Sequence, residues 1–246
     1  MSNRITFLFI CLSFLVLREA FAQPLTKIVP DKKRTTLWKP ASGQYYFSHL
    51  MTFEFDNKYD NRQGTVAIYL DPVTGALCYE RSKTFGTTAE FYDYILAFPD
   101  GQFISCGVDE AGKKFKVKET IVEFKPDEET RKQQQQDFES FCQLTGNNKE
   151  FFGWKTQEYK LAYPKSEVSE ELWLAEVPFS VYPLYGFSLI EGTASLPVSF
   201  DFIDLIGPKH LLTEYKAKEL TIKLVSIEFQ PLTLNTGLYK ELKLAD

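Results

Sequence analysis

Apolar and polar residues alternate with a period of two over much of this chain, which is the spacing of half-buried strands rather than of helices. From Tyr45 to Phe55 the alternation places Tyr45, Phe47, His49, Met51, Phe53 and Phe55 on one face of a long strand. Thr65 to Leu70 and Ala76 to Glu80 then flank Asp71-Pro72-Val73-Thr74-Gly75. Its proline presets φ and its glycine accepts a left-handed conformation, so the unit predicts a hairpin. The same grammar recurs in Phe91 to Phe98, the turn Pro99-Asp100-Gly101, Phe103 to Val108, the turn Asp109 to Gly112, and Phe115 to Phe124. Six successive strands of this kind predict an antiparallel meander.

Pro126 ends the run, and Asp127 to Leu144 turns charged and glutamine-rich, with Phe138, Phe141 and Cys142 at helical spacing. One loosely amphipathic helix is predicted there, stopped by Gly146-Asn147-Asn148, with Gln133 to Gln136 on a solvated face. Strand patterns return at Trp154 to Tyr163 and Leu172 to Val177, followed by an irregular, proline-punctuated stretch from Pro178 to Pro197. Phe200 to Tyr215 is compatible with a helical turn or a short strand pair. Leu220 to Phe229 is a strong strand whose apolar phase shifts between Leu224 and Val225, which predicts a bulge or bend.

Ahead of this pattern, Arg4, the apolar run Ile5 to Leu17, and Ala20-Phe21-Ala22 before Gln23 have the order of a cleavable secretory signal peptide. A membrane span needs roughly 20 apolar residues, whereas Arg18 and Glu19 interrupt this run. Cys11 sits mid-run behind Phe9 and Ile10, the wrong place for lipid attachment. The expected organisation is therefore residues 1–22 as signal peptide and 23–246 as a single β-rich domain, exported to the periplasm or cell surface and soluble once cleaved.

Cleavage moves the formal charge from −5 to −6 by removing Arg4, Arg18 and Glu19, and this mild acidity argues against nucleic acid as a partner. The 22 Phe, 13 Tyr and 3 Trp supply enough large apolar surface for a core built on strands. Cys78, Cys106 and Cys142 survive cleavage, an odd number that leaves at least one free thiol. In a meander, Cys78 and Cys106 stand two strands apart, about 10 Å, too far for a disulfide. Any bridge would have to involve Cys142. Cys106, alternating with Ile104 and Val108, reads as a buried apolar position.

The motifs of common chemistry are missing. No Gly-x-Ser-x-Gly elbow or glycine-rich phosphate loop occurs, and Gly192-Thr193-Ala194-Ser195 lacks the second glycine. Only His49 and His210 are present, so no histidine-rich metal site is expected and no cofactor is implied. Asp56 to Asn61 looks like a calcium loop in passing, but Lys58 occupies an acidic position and Ala67 stands where the closing Glu belongs. Glu170, Glu171, Asp201 and Asp204 could supply paired carboxylates only if the fold brought two together. Aromatic residues on strands, with Trp154, Trp173, Phe179, Tyr182, Tyr185 and Phe187, mostly read as core.

Phe152-Gly153-Trp154-Lys155, Trp173-Leu174, Val177-Pro178-Phe179-Ser180-Val181-Tyr182-Pro183 and Leu189-Ile190 resemble, in residues and spacing, the GLPGLI family of exported bacterial envelope proteins. The resemblance covers about 40 of 246 residues. Tyr182 stands where that family has Gly, and Gly186-Phe187-Ser188-Leu189-Ile190 lacks the namesake Pro-Gly. It implies a fold similar to the LolA-like open half-barrel, and lipid or lipoprotein handling on its concave face. The combined expectation is a mainly β fold, a curved antiparallel sheet with one or two helices, with a β-sandwich as the alternative. Function is expected to be non-enzymatic: an apolar ligand such as a lipid or lipoprotein acyl chain held at Phe47, His49, Phe53, Phe55 and Trp173. A structural or protein-interaction role in the envelope is the first alternative, and an envelope hydrolase the second.

Overall fold

The computed structural model describes residues 31–59, 61–84, 92–120, 128–162, 169–186 and 207–242. Within them the chain is mainly β, twelve strands in one large, curved, unclosed sheet with a few short helices. The predicted signal peptide lies outside the described residues.

Strands β1 (Gln44–Asn57), β2 (Arg62–Asp71), β3 (Ala76–Glu80), β4 (Tyr92–Ala97), β5 (Gln102–Val108) and β6 (Lys114–Thr120) form the predicted meander. The turns between them use left-handed Gly75, Gly101 and Gly112. A second meander contains β7 (Cys142–Phe151), β8 (Trp154–Ala162), β9 (Ser169–Glu176), β10 (His210–Lys216) and β11 (Leu220–Asn235). The two are joined at the centre by β1 pairing antiparallel with β11, from Gln44↔Asn235 to Asn57↔Leu220. The undecided stretch before Tyr215 thus contains a strand. Short β12 (Lys240–Leu242) runs parallel to β6 at the far edge, the one parallel pairing among the described residues.

Register irregularities decide where the core sits. Leu224 pairs with Phe53 and Ser226 with Thr52, so Val225 is the extra residue of a bulge, at the predicted phase shift. A second irregularity, at Ser48 opposite Gln230-Pro231, lies where a proline can neither donate to the ladder nor disturb it further. It corrects the expectation of a single apolar face on β1. Tyr45 and Phe47 join one core cluster, with Cys78, Tyr94, Leu96, Ile104 and Cys106. Met51 and Phe53, beyond the bulge, belong to another on the opposite face, with Ile68, Leu77, Tyr79, Leu172, Leu174 and Leu211. Strands β2 to β5 are consequently buried on both faces, Tyr69, Cys78 and Leu96 contributing to one cluster and Ile68, Tyr79 and Ile95 to the other.

Helix α1 (Lys32–Leu37), capped by the Asp31 carboxylate on Lys33 N–H, covers the end of the first cluster. Trp38 follows it and meets Tyr45 and Phe47 edge-on at 5.5 and 6.1 Å. Arg34 anchors the helix, donating Nε and Nη2 to the two Asp71 carboxylate oxygens at 2.8 and 2.9 Å, and Asp71 is fully buried. That carboxylate also accepts from Thr74 Oγ1 at 2.6 Å, so the charge inside the β2–β3 turn is satisfied by both its own loop and the helix.

Helix α2 (Glu128–Phe141) appears where expected, but it runs directly into β7. Cys142 to Leu144 are strand, and Gly146-Asn147-Asn148 does not end the helix but forms a bulge between Leu144 and Asn148, with Gly146 at φ +84. Turn chemistry read from sequence is here spent inside a strand. Helix α3 (Tyr182–Gly186) lies in the proline-rich stretch and is fixed to the sheet by Tyr79 Oη donating to the Pro183 carbonyl at 2.8 Å. Tyr185 Oη donates to the His210 carbonyl and accepts from Leu212 N–H. Cys78, Cys106 and Cys142 are all buried and free.

Asp71→Asn leaves Arg34 facing a neutral group and is expected to lower the unfolding free energy by about 3 kcal/mol in urea titration. Glu241→Gln, which opens the exposed Lys118–Glu241 pair, is expected to cost less than about 1 kcal/mol by the same measurement. Equal effects would refute the anchoring role of Asp71.

Candidate functional site

Across the middle of the sheet the register aligns side chains from distant parts of the chain into rows. On the face opposite Phe53 and Leu224, Glu214, Lys223, Glu54 and Thr65 stand directly beside one another on β10, β11, β1 and β2. Two residues along, Lys216, Thr221, Asp56 and Gln63 form a parallel row. Between them, Tyr215, Ile222 and Phe55 turn their side chains to the core and, with Gly64, present backbone. These twelve residues line a groove of about 580 Å³ that runs across the strands. Gly64 matters to its floor, because the Phe55 ring lies 3.1 Å from where a Cβ at that position would stand.

The rows continue onto β9 and β8. Trp173 lies beside Glu214, and Glu171 beside Lys216 with 3.8 Å between charged atoms. Lys149 pairs with Glu214 and sits 4.0 Å above the Trp173 ring. Glu158, next to Trp173, is held by Thr145 Oγ1 and Asn147 Nδ2, both at 2.6 Å and both from the β7 bulge. These donors hold its carboxyl below the usual carboxylate range. Toward β2 the groove is different. Glu54, Asp56, Gln63, Thr65, Thr221 and Lys223 are exposed, and among the described residues none of their side chains has a hydrogen bond or ion pair.

The residues singled out from sequence are distributed over three places. Phe47 and Phe53 are enclosed in opposite core clusters. His49 is half-buried at the Ser48 irregularity, where Ser48 Oγ lies 2.7 Å from its Nδ1 and Phe229 meets it edge-on at 5.8 Å. Phe55 is half-buried and contributes to the groove floor, while Trp173 continues one groove wall on the outer face. The register irregularity at Ser48 is the reason the expected face does not come together. Of the candidate carboxylates, Glu171 borders the groove, Glu170 lies across from Leu161, and Asp201 and Asp204 are outside the described residues. Sequence reasoning missed the groove walls. Their polar phase was visible at Glu54 and Asp56, but the register that sets Lys223 beside Glu54 was not.

A second polar cluster lies near His49. Tyr46 Oη donates to Asp31 Oδ2 at 2.5 Å, which holds the carboxyl low, while burial and this bond push the tyrosine up to about 12. Burial lowers the His49 value despite the opposing fields of Asp31 and Asp71. His210 opens β10 with Nδ1 buried and, among the described residues, without a partner. Among the described residues no three His, Cys, Asp or Glu side chains are placed to hold a metal, and no helix is long and apolar enough to cross a membrane.

No family model matches the chain, and no curated protein matches it. Among solved structures, PNGF-II in its C2 and P21 crystal forms aligns at 9% identity with TM-scores of 0.41 and 0.39. Each alignment covers 80% of this chain and 31% of the other, so the chain spans about a third of the length of those proteins. Likeness at that level identifies neither fold nor activity.

His49 takes up its proton at lower pH in the folded state than the ordinary value of 6.5, so the unfolded chain binds the proton first. Stability is therefore expected to fall as pH drops through and below 6.5, and His49→Gln should flatten this slope in thermal melts. Matching slopes for both proteins would exclude His49 as the titrating group.

Proposed function

We propose that the protein is an exported, non-enzymatic binding component of the cell envelope that engages its partner in the groove across β10, β11, β1 and β2. The observation that carries this reading is the set of six exposed polar side chains left without a partner among the described residues around a defined depression. Surface polar groups normally face only water. Here they converge in two rows on paired strands at the middle of the sheet, and regular elements are the setting in which a binding site holds its geometry. Export rests on the signal-peptide pattern of residues 1–22 and agrees with the GLPGLI resemblance.

An apolar ligand is the second reading, supported by Phe55, whose half-buried ring lies where the groove floor meets the core. Phe47 and Phe53 are filled around by the protein's own side chains, so a lipid reaching them would have to displace core residues. That cost favours the groove.

The purified mature chain is expected to co-sediment with envelopes of its own organism. The double variant Asp56→Ser, Lys223→Ser should lose at least about tenfold in retention, the equivalent of one or two hydrogen bonds, with an unchanged urea midpoint. Full retention by the variant would remove the groove from the binding site. Native mass spectrometry of the same preparation reads the apolar alternative directly, since co-purifying lipid would favour it.

A further inference from the structure

Taking the groove as the binding site, we infer that its ligand is an uncharged oligosaccharide lying across the strands. Direction is the first argument. Across four strands the groove is about 14 Å long and perpendicular to the chain direction. A peptide recognised by a sheet gains most from adding a strand at an edge, where its backbone continues the ladder. On this floor the peptide groups of Ile222 and Phe55 face partners on both sides, so a ligand lying across them finds no ladder to extend. Recognition comes from the walls.

The walls select against charge. Lys223 is directly beside Glu54 on one side and Glu214 on the other, and Asp56 is one position along from Glu54 on the same face. A ligand charge placed around Lys223 would meet both signs within one strand spacing, because Glu54 and Glu214 flank it. Glu214 and Lys216 are already balanced by Lys149 and Glu171. A phosphate-rich chain therefore gains little here, and a polybasic chain would have to pass over Lys223. A polyhydroxylated neutral chain can use every group present: carboxylates accept, the ammonium donates, and Gln63, Thr65 and Thr221 do both. At the β9 end, half-buried Trp173 adds an amphipathic ring to the same row.

Isothermal titration of the mature chain with neutral gluco-, manno-, xylo- and chito-oligosaccharides of increasing length tests this. Polygalacturonate, oligolysine and neutral peptides serve as comparison probes. At least one neutral sugar series is expected to bind, with affinity rising with length until the groove is filled and changing little with added salt. Gln63→Ala and Lys223→Ser should each weaken that binding by about tenfold, and Trp173→Ala should reduce the gain from the longest chains. The inference is overturned if no neutral series binds, if only the charged or peptide probes bind, or if neutral-sugar binding ignores these substitutions. Should envelope retention remain sensitive to Asp56→Ser, Lys223→Ser in such a case, the ligand class alone is wrong. If retention is insensitive as well, the groove assignment falls with it.

Discussion

The pairing of β1 with β11 is the constraint on which the rest of the structure depends. Each meander is a local affair, strand following strand through short turns, and each would end in an open edge. Joining Gln44–Asn57 to Leu220–Asn235 removes both edges at once and makes one sheet of twelve strands. The two strands are also the longest among the described residues, at fourteen and sixteen residues. Their irregularities at Ser48 and Val225 are how one ribbon serves two cores. A strand of unbroken period two would send Tyr45 to Phe55 to a single side, and one of the two clusters would lose its central aromatics.

The groove is a product of that same pairing. Its two inner strands are β1 and β11, and its walls are the residues left over when alternate positions of those strands go to the core. Phe53, Phe55, Ile222 and Leu224 turn inward, which obliges Glu54, Asp56, Thr221 and Lys223 to turn outward in register. Burial on one side thus sets the geometry of recognition on the other. The Arg34–Asp71 bond stabilises the same unit from its far end, since Asp71 closes β2, the outermost wall of the groove.

Local pattern made most of this legible. The period of two and the Pro-Gly turns located the first meander, and the phase slip at Leu224-Val225 located a bulge that the structure contains. What failed was everything requiring knowledge of a distant partner. Ser48 is the clearest case: it gives no sign of interrupting its strand, because the irregularity is created by Gln230-Pro231, more than 180 positions away. The Gly146-Asn147-Asn148 signal was real turn chemistry, but its use as a stop or as a bulge depends on whether β8 is there to pair with Leu144. The groove walls were hidden for a like reason. Glu54 and Lys223 are ordinary surface residues until the register sets them side by side.

The order of strands also has a kinetic meaning. A chain that emerges from its N-terminal end completes β1 through β6 long before β11 exists, and contacts of such large sequence separation are the slowest to form. Until then β1 presents a fourteen-residue edge, aromatic and aliphatic side chains among it, with the backbone groups of one side unpaired. The interval between the sixth strand and the eleventh is accordingly the period of greatest exposure to self-association, and it is there that a chaperone would have the most to protect.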